Sequence, residues 1–492
     1  MYKRGMELEP DVCYRALASR DSRFDGRFYT GVTSTRIYCR PICPARTPKR
    51  GHCRYFRCAA EAEEAGFRPC LRCRPESSPG TPAWFGPSAT VSRALRLIYE
   101  GALEEDGVDA LAERLGVGSR HLRRLFSERV GASPIAIEQT RRVQFAKKLL
   151  DETPLPIARV AICSGFGSVR RFNDAVQRAY GRSPSQLRHV GPSSGGGVDL
   201  VLRLSFRPPL DWDSMITFLE RRAVPGVEVV EGRTYRRTVE MGGQVGIIEV
   251  RPLKEEPSLL LSVPLALADR VTNILERVRS MFDLDADPVQ IENQLRQDPF
   301  LRQAVRNRPG LRVPGSWDRF ELGVRAILGQ QVTVRGAVTL ASRVVDACGG
   351  RLPAAERGLS RVFPGPEALG GSRLTRIGMP GARRTAIRVF AKAVLEGELE
   401  LQSAAGLQEA VGRIRGVRGI GDWTAQYIAM RALREPDAFP ASDLGVRRAL
   451  AGGKALPTPG WTIDRAEAWR PWRAYATMHL WALGSNGPKR KE

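Results

Sequence analysis

Four cysteines near the amino terminus have the spacing of metal ligands. Cys39 and Cys43 form a C-x3-C pair, and Cys70 and Cys73 form a C-x2-C pair further along the chain. Four thiolates complete the tetrahedral shell that zinc prefers, so these residues predict one zinc site with four cysteine ligands. Zinc also keeps a thiol deprotonated at neutral pH, and the thiolate is a nucleophile. The spacing alone leaves open whether the site is purely structural or contains a reactive sulfur.

The remaining cysteines bear on the cellular compartment. Seven of the nine cysteines lie before residue 74, which in a cytosolic chain favours metal binding or reactivity over disulfides. Cys53 or Cys58 could replace one zinc ligand in a different pairing, and Cys13 is left over. No apolar run has the length of a membrane span, and the first residues lack the apolar core of a signal peptide. We therefore expect a soluble cytoplasmic protein, associated with the bacterial nucleoid.

A second candidate for chemistry is an aspartate near the carboxyl end. In "VRGIGDWTAQYIAM", Gly419 and Gly421 lie between two predicted helices, where a tight turn lets backbone N–H groups approach a phosphate. Asp443 follows about twenty residues later in "FPASD". Because a helical pattern begins after it, Asp443 could simply be a helix N-cap. A carboxylate can instead belong to an active site, where it stabilises positive charge that develops in a transition state.

The net charge indicates a polyanionic partner. The chain has 492 residues and a formal net charge of +24, and 42% of its residues are hydrophobic. This length and apolar content suit several domains with buried cores. So large a positive charge favours nucleic acid. A membrane surface is the weaker alternative, because no strongly amphipathic basic helix stands alone.

Two stretches rich in Pro, Gly and Ser separate the chain into blocks. They are "PESSPGTPAWFGPS" at 75–88 and "GPSSGGG" at 191–197. The block after the second stretch opens with alternating strand patterns such as "VDLVLRLSF" and turns helical after about residue 287. We predict four domains, at 1–78, 89–190, 198–286 and 287–487.

The cysteine block resembles the amino-terminal domain of the Ada alkylation-response family. The motifs "CRPIC" and "GFRPCLRC" carry this resemblance, which covers about residues 10–75. It implies that Cys39 is both a zinc ligand and the nucleophile that takes a methyl group irreversibly from a DNA methylphosphotriester. Methylation would remove one negative charge from a cluster of net charge about −2. Nearby basic residues would hold the DNA backbone: Arg40, Arg46, Lys49, Arg50, Arg72 and Arg74.

The middle block contains two similar helical units. "LGVGS" predicts a glycine turn with Ser119 as the N-cap of the following helix, and Ser168 is the corresponding cap in the second unit. The stretch "GFGSVRRFNDAVQRAYGRSP" resembles the paired helix-turn-helix domain of AraC-type regulators. The resemblance implies that the second helix of each unit enters the major groove. The implied DNA contacts are Ser119, Arg120, Arg123, Arg124, Arg170, Arg171 and Asn173.

The glycine hairpin followed by Asp443 resembles the helix-hairpin-helix glycosylases. Within that group, about residues 198–485 resemble the 3-methyladenine DNA glycosylase II (AlkA) family. The resemblance implies that Asp443 is catalytic and that Gln331 stands where a leucine of the family enters the duplex. The hairpin glycines Gly419 and Gly421 would bind DNA. The implied base pocket consists of Trp423, Tyr427 and Trp481.

Two absences refine the expected chemistry. Strand-nicking relatives carry a lysine at the position of Trp423, so no amine is available there for a Schiff base with the sugar. We therefore expect a monofunctional glycosylase. No cysteine follows Cys348, which excludes the iron–sulfur cluster of some relatives.

The predicted fold class is multidomain. A small α+β zinc domain precedes an all-α double helix-turn-helix domain, a TBP-like α+β subdomain and an all-α helix-hairpin-helix glycosylase domain. The predicted function is methyl transfer to Cys39 together with excision of alkylated purines. The alternative is a methylation-triggered transcription activator whose glycosylase-like domain only binds DNA. The expected partners of this monomer are alkylated and promoter double-stranded DNA, RNA polymerase is a further candidate, and no membrane is involved.

Overall fold

The structure is a computed structural model. It describes residues 8–79, 89–105, 107–189, 199–372, 374–375, 377–401 and 406–485. The predicted linker at 191–197, and 75–88 beyond residue 79, lie outside this description. The chain divides into two compact units, Met1–Pro208 with Met241–Glu276 and Leu284–Ala286, and Pro209–Glu240 with Arg277–Asp283 and Asp287–Glu492. Among the described residues, no helix is long and apolar enough to span a bilayer.

The cysteine block is a small α+β domain with an aromatic core. Its elements are α1 (Pro10–Ala18), β1 (Tyr29–Val32), β2 (Ile37–Cys39), β3 (Cys53–Phe56), α2 (Ala59–Glu64) and β4 (Arg68–Pro69). The strand order is β3-β1-β2-β4, and β4 runs parallel to β2. A Cβ at Gly31 would lie 2.6 Å from the ring of Phe56, so glycine lets the aromatic core close over β1. The parallel pairing brings the end of β2, at Cys39, beside Cys70.

The middle block is helical throughout. Its elements are α3 (Ala89–Tyr99), α4 (Ala102–Glu105), α5 (Gly107–Arg114), α6 (Ser119–Arg129), α7 (Pro134–Glu152), α8 (Ile157–Cys163), α9 (Val169–Tyr180) and α10 (Pro184–Leu187). Ser168 caps α9 as predicted, since its Oγ accepts the Arg171 N–H at 3.2 Å. The prediction for Ser119 is wrong: Gly118 is the N-cap and Ser119 is the first residue of α6. Gly116 forms the turn with a left-handed φ of 67°, and Gly118 has the extended backbone conformation of an N-cap, so the helix begins one residue later, at Ser119.

The third block begins with strands. They are β5 (Asp199–Ser205), β6 (Glu228–Glu231), β7 (Thr234–Met241), β8 (Gln244–Pro252) and β9 (Ser258–Pro264), with α11 (Trp212–Glu220) after β5. In the first unit β9 lies between β5 and β8, antiparallel to both. In the second unit β6 and β7 form a hairpin. Alternate residues of β5 are buried, as the sequence pattern predicted.

The rest of the second unit is mainly helical. Its helices are α12 (Val271–Met281), α13 (Pro288–Leu295), α14 (Pro299–Asn307), α15 (Arg319–Leu328), α16 (Val334–Cys348), α17 (Pro366–Gly371), α18 (Gly381–Leu395), α19 (Leu407–Gly416), α20 (Asp422–Arg431), α21 (Leu444–Ala451), α22 (Pro459–Ala466) and α23 (Arg473–Ser485). A short hairpin, β10 (Arg351–Glu356) and β11 (Leu359–Arg361), interrupts them. Helices α19 and α20 flank the glycine hairpin, and α21 packs against α23. The predicted fold class is confirmed.

Candidate metal centre and active-site pocket

The four predicted zinc ligands come together in the structure. The sulfur atoms of Cys39, Cys43, Cys70 and Cys73 all lie within 4.8 Å of one another. Tetrahedral zinc with Zn–S bonds of about 2.3 Å requires sulfurs roughly 3.8 Å apart, so this group fits the ion with small adjustments. The parallel strands hold the two pairs together, because the Cys70 N–H donates to the Tyr38 carbonyl at 3.0 Å.

Cys39 is the most accessible of the four sulfur-bearing residues. Cys43, Cys70 and Cys73 are buried, whereas Cys39 is half-buried. Cys39, Cys43 and Cys70 line a cleft of about 360 Å³. The alternative ligands have other neighbours. The Cys58 Sγ donates to the Val130 carbonyl at 3.4 Å, and burial raises the pKa of its thiol to about 12. The Cys53 Sγ faces the Lys49 carbonyl, so the alternative pairing is wrong.

The basic residues of the cysteine block fall into two groups. Arg40 is buried and donates to Asp25 at 2.9 Å and to the Cys73 carbonyl at 3.1 Å, so the prediction that it holds DNA is wrong. Its guanidinium instead ties the ligand loop to the domain core. Arg50 pairs with Asp11, and Arg74 pairs with Asp151 at 2.8 Å. The other predicted contacts, Arg46, Lys49 and Arg72, are at least partly exposed.

The cysteine block is fastened to the helical block through polar contacts. The Glu63 carboxylate accepts hydrogen bonds from the Tyr38 hydroxyl at 2.8 Å and from the Thr140 hydroxyl of α7 at 2.6 Å. Gln144 of α7 donates to the same Tyr38 oxygen at 3.2 Å. A Cβ at Gly131 would lie 2.2 Å from the Glu61 carboxyl carbon, which shows how closely the two blocks approach. Tyr38 directly precedes Cys39, so the strand that carries Cys39 is anchored on α7.

The two recognition helices present their basic residues to solvent. Helix α6 buries Leu122 and Phe126, and α9 buries Phe172 and Val176. The opposite faces carry the predicted DNA contacts, all exposed except the half-buried Ser119: Ser119, Arg120, Arg123, Arg124, Arg170, Arg171 and Asn173. Each helix therefore has one packed face and one face that is free to enter a groove.

Asp443 lies at the centre of a second site. Its Oδ1 accepts the Val446 N–H at 3.0 Å, so Asp443 is the N-cap of α21. The same oxygen accepts the Trp481 indole N–H at 2.9 Å, and Oδ2 accepts the Trp423 indole N–H at 2.9 Å. Three donors fix the orientation of this half-buried carboxylate. The N-cap interpretation is confirmed, and the active-site interpretation stays a prediction.

The predicted aromatic residues surround the same cavity. Trp423 stacks on Tyr427 with ring centroids 5.2 Å apart, and Tyr427 lies 6.3 Å from Trp481. All three line a cavity of about 300 Å³ together with Asp443. The i, i+4 spacing of Trp423 and Tyr427 on α20 places both rings on one helix face.

Three arginines of the cavity were missed in the sequence: Arg222, Arg325 and Arg431. Arg431 donates to the Tyr427 hydroxyl at 2.6 Å and lies over the Tyr427 ring, four residues further along α20. Arg222 lies over Phe218 at 3.7 Å, and burial lowers the pKa of its guanidinium to about 10, with Arg431 adding to the shift. Burial alone would raise the pKa of Tyr427, but the three guanidiniums lower it. The Tyr427 ring therefore contacts both the Trp423 indole and the Arg431 guanidinium.

The loop after α15 is tied to the glycine hairpin. Gln331 is exposed with a left-handed φ of 53°, and its neighbour Gln330 donates to the Gly419 carbonyl at 3.1 Å and to the Thr424 hydroxyl at 3.0 Å. Gly419 has φ 92°, and a Cβ there would lie 2.6 Å from that of Ala386. The tight turn therefore requires Gly419. Gly421, the N-cap of α20, has φ −87°, a conformation open to any residue.

Three family models match parts of the chain. The metal binding domain of Ada matches residues 12–76, a helix-turn-helix domain matches 111–189, and the AlkA N-terminal domain matches 201–318. These matches confirm the three resemblances that the motifs indicated. They also assign the four-cysteine cluster to a metal-binding domain.

Relatives of known name match either the whole chain or one part of it. A "probable bifunctional transcriptional activator/DNA repair enzyme AlkA" of Mycobacterium tuberculosis is 41% identical over 480 residues, covering 95% of each chain. The "DNA-3-methyladenine glycosylase 2" of Escherichia coli is 35% identical over 56% of this chain and 95% of its own. The E. coli "bifunctional transcriptional activator/DNA repair enzyme Ada" is 29% identical over 41% of this chain and 53% of its own.

A solved structure supports the fold of the glycosylase-like part. A 3-methyladenine DNA glycosylase from Archaeoglobus fulgidus superposes with a TM-score of 0.52 and 23% identity. The match covers 58% of this chain and 99% of that one. At this identity the likeness shows a shared fold.

Proposed function

Since the chain belongs to the family of bifunctional transcriptional activator/DNA repair enzymes, we propose that it performs two repair reactions on DNA. One is transfer of a methyl group from a methylphosphotriester to Cys39. The other is hydrolytic excision of alkylated purines of the 3-methyladenine type at Asp443. The observation that carries the proposal is the Asp443 carboxylate, held by two indole N–H groups inside an aromatic cavity.

The methyl transfer is a single displacement. Cys39, Cys43, Cys70 and Cys73 would hold one zinc ion, which keeps the sulfurs deprotonated at neutral pH. A lone pair of the Cys39 sulfur attacks the methyl carbon, and the carbon–oxygen bond breaks. The electron pair of that bond remains on the phosphate oxygen, so the neutral triester becomes an anionic diester. The sulfur becomes a neutral thioether, and each chain reacts once.

The excision reaction uses the second cavity. A base turned out of the duplex enters beside Trp423 and Trp481, and the glycosidic bond breaks with its electron pair leaving on the base. Asp443 stabilises the positive charge that develops on the sugar and directs a water to it. The indole donors hold this carboxylate in place before the reaction begins. Because an indole occupies the position where strand-nicking relatives have an amine, the product is an intact abasic strand.

The remaining assignments extend this proposal. Exposed arginines on α6 and α9 support promoter binding by the helix-turn-helix domain, and RNA polymerase is a candidate partner of the bound monomer. We place the protein in the cytoplasm, on DNA. The domain boundaries proposed are 1–78, 89–190, 198–286 and 287–487.

An activator whose glycosylase-like part only binds DNA is the competing function. It would not need a carboxylate positioned by two indoles inside a cavity, so the geometry of Asp443 favours catalysis. One experiment tests both reactions. The wild-type protein is incubated with methylated DNA, released free bases are quantified, and the protein is digested for peptide mass mapping. We expect free 3-methyladenine and one methyl group on the peptide containing Cys39. Absence of free base would favour the activator, and a methyl group on Cys43, Cys70 or Cys73 would overturn the assignment of the nucleophile.

A further inference from the structure

The cleft beside Cys39 is built by two domains. One wall belongs to the cysteine block and includes Ile37 and Leu71. Tyr180 and Arg182, at the carboxyl end of α9, complete the lining. They reach the cleft because α9 packs against β4, the strand that precedes Cys70. The second helix-turn-helix unit therefore contributes directly to the surroundings of the reactive sulfur.

The arginines of this cleft are unpaired. Four of them are at least partly exposed, and within the described part of the chain none forms an ion pair with a carboxylate: Arg46, Arg68, Arg72 and Arg182. By contrast, Arg40, Arg50 and Arg74 of the same block are paired with acidic residues. Unpaired guanidiniums around a concave surface produce a positive potential that attracts an anionic chain.

A methylphosphotriester is itself uncharged. Electrostatic attraction to the lesion strand must therefore act on the unmodified phosphates on either side of it. Guanidiniums around the cleft can serve this purpose, because arginine donates two parallel hydrogen bonds to a phosphate. Three of the four arginines belong to the cysteine block. Arg182 comes from the helix-turn-helix domain.

We propose that Arg182 binds a phosphate adjacent to the methylphosphotriester, so that the second helix-turn-helix unit completes the methyl-transfer site. The inference rests on the proposed role of Cys39 and adds a positioning residue to it. It assigns this domain a part in the repair reaction itself, besides any role at promoters. Arg182 would lower the substrate concentration needed for half-maximal methyl transfer. The rate of the chemical step at Cys39 would be unaffected.

The test uses the full chain and a small substrate. A single-stranded tetranucleotide with a central methylphosphotriester reaches the cleft and is too short to occupy the recognition helices at the same time. We expect Arg182→Ala to raise the half-saturating substrate concentration about 5- to 10-fold, with the maximal transfer rate within about twofold of wild type. The slope of log affinity against log salt should fall by about 0.7, the value for one phosphate contact on a single strand. Arg182→Lys should recover part of the affinity.

Arg178→Ala is the matched control. Arg178 is an exposed arginine on α9 that does not line the cleft, so this variant should transfer methyl groups from the tetranucleotide as the wild type does. Unchanged half-saturation in Arg182→Ala would overturn the inference, and so would an equal loss in Arg178→Ala. A wild-type protein that transfers no methyl group at all would instead remove the assignment of Cys39, and the inference with it. Thermal denaturation and zinc content of each preparation report that the part of the chain carrying the substitution is folded.

Discussion

At the scale of single residues, the Asp443 carboxylate is a helix cap and, in the proposed function, also the catalytic group. One oxygen caps α21 while both oxygens accept indole protons. An N-cap needs only one acceptor oxygen, whereas charge stabilisation at the sugar needs the full negative charge. The two tasks can therefore be separated by substitution.

Asp443→Asn should abolish most of the activity and keep the fold. Asparagine caps helices as well as aspartate does, but it carries no charge and its NH2 group cannot accept the Trp423 indole proton, so the rate of base release should fall on the order of 10²-fold or more. Asp443→Ala should lose similar activity and in addition about 1 kcal/mol of stability. Single-turnover release of 3-methyladenine and thermal denaturation measure the two effects. Activity within a few-fold of wild type in Asp443→Asn would show that another group supports the sugar cation.

His479 makes the stability of the second unit depend on pH. It is buried in α23, burial lowers its pKa to about 4, and its Nδ1 has no hydrogen-bond partner among the described residues. In the unfolded chain the His479 imidazole takes up a proton near pH 6.5, whereas in the folded chain it stays neutral until the pH falls to about 4. Stability is therefore unaffected above pH 6.5 and falls as the pH decreases towards 4, by up to about 3 kcal/mol.

This dependence can be measured by denaturation between about pH 4 and pH 7. His479→Gln should flatten the profile in that window, because no group remains to take up the proton. Substitution of His121, which is exposed on α6, serves as the control and should leave the profile unchanged. A variant at position 479 with the full wild-type slope would mean that other groups control the acid sensitivity.

At the scale of elements, the loop before α16 and the glycine hairpin behave as one part. Gln330 joins them through the Gly419 carbonyl and the Thr424 hydroxyl. The loop carries Gln331 to the surface in a left-handed conformation that is uncommon outside glycine. Such local strain persists where the surrounding contacts enforce it, and Gln330 supplies those contacts.

Gln330→Ala should lower the affinity for DNA more than it lowers the rate of base release. The two side-chain hydrogen bonds to Gly419 and Thr424 are lost, while the bond from Arg383 to the carbonyl of residue 330 remains. The loop is then held less firmly against the hairpin, and affinity for an abasic-site analogue should fall about 5- to 10-fold. The rate of base release at saturating enzyme should change by a smaller factor than the affinity does. Fluorescence anisotropy and single-turnover kinetics separate the two, with Gln303→Ala on the surface of α14 as control. Unaltered DNA affinity would show that the loop is held without Gln330.

Local patterns in the sequence predicted most elements. Leu200, Leu202 and Leu204 alternate along β5 as a half-buried strand requires, and the hairpin of Gly419 was visible in a few residues. The error at Ser119 arose because the length of a turn was inferred from its glycines, one of which became the cap. Arg222 was not predictable as a cavity residue, because it lies far from Tyr427 in the sequence and only tertiary packing brings them together.

At the scale of the whole molecule, charge controls association with DNA. With zinc bound, four thiolates carry a net charge of about −2, beside a cleft of unpaired arginines. In the proposed reaction, methyl transfer to Cys39 removes one negative charge from this region, while Asp443 belongs to the second unit. Methyl transfer should therefore change affinity while base excision continues in the same chain.

Methylated protein should bind DNA more tightly than unmethylated protein. Two unit charges about 6 Å apart interact by roughly 3 kcal/mol at an effective dielectric near 20, before salt screening. We expect an improvement of about 10-fold or more at low salt that shrinks as salt rises. Titrations of DNA with both forms of the protein at several salt concentrations measure this, and base release should stay within about twofold. Equal affinities at low salt would contradict the electrostatic account.

The contact between Glu63, Tyr38 and Thr140 also has a consequence for position along DNA. Because it anchors the strand of Cys39 on α7, the reactive sulfur and the recognition helices keep a fixed spacing. A duplex repeats about every 10 to 10.5 base pairs, so moving a damaged phosphate by about 5 base pairs carries it to the opposite side of the helix. A lesion and a bound promoter site can thus be contacted at the same time only when the damaged phosphate faces the Cys39 sulfur. Repair at a site without promoter binding does not depend on this rotational position.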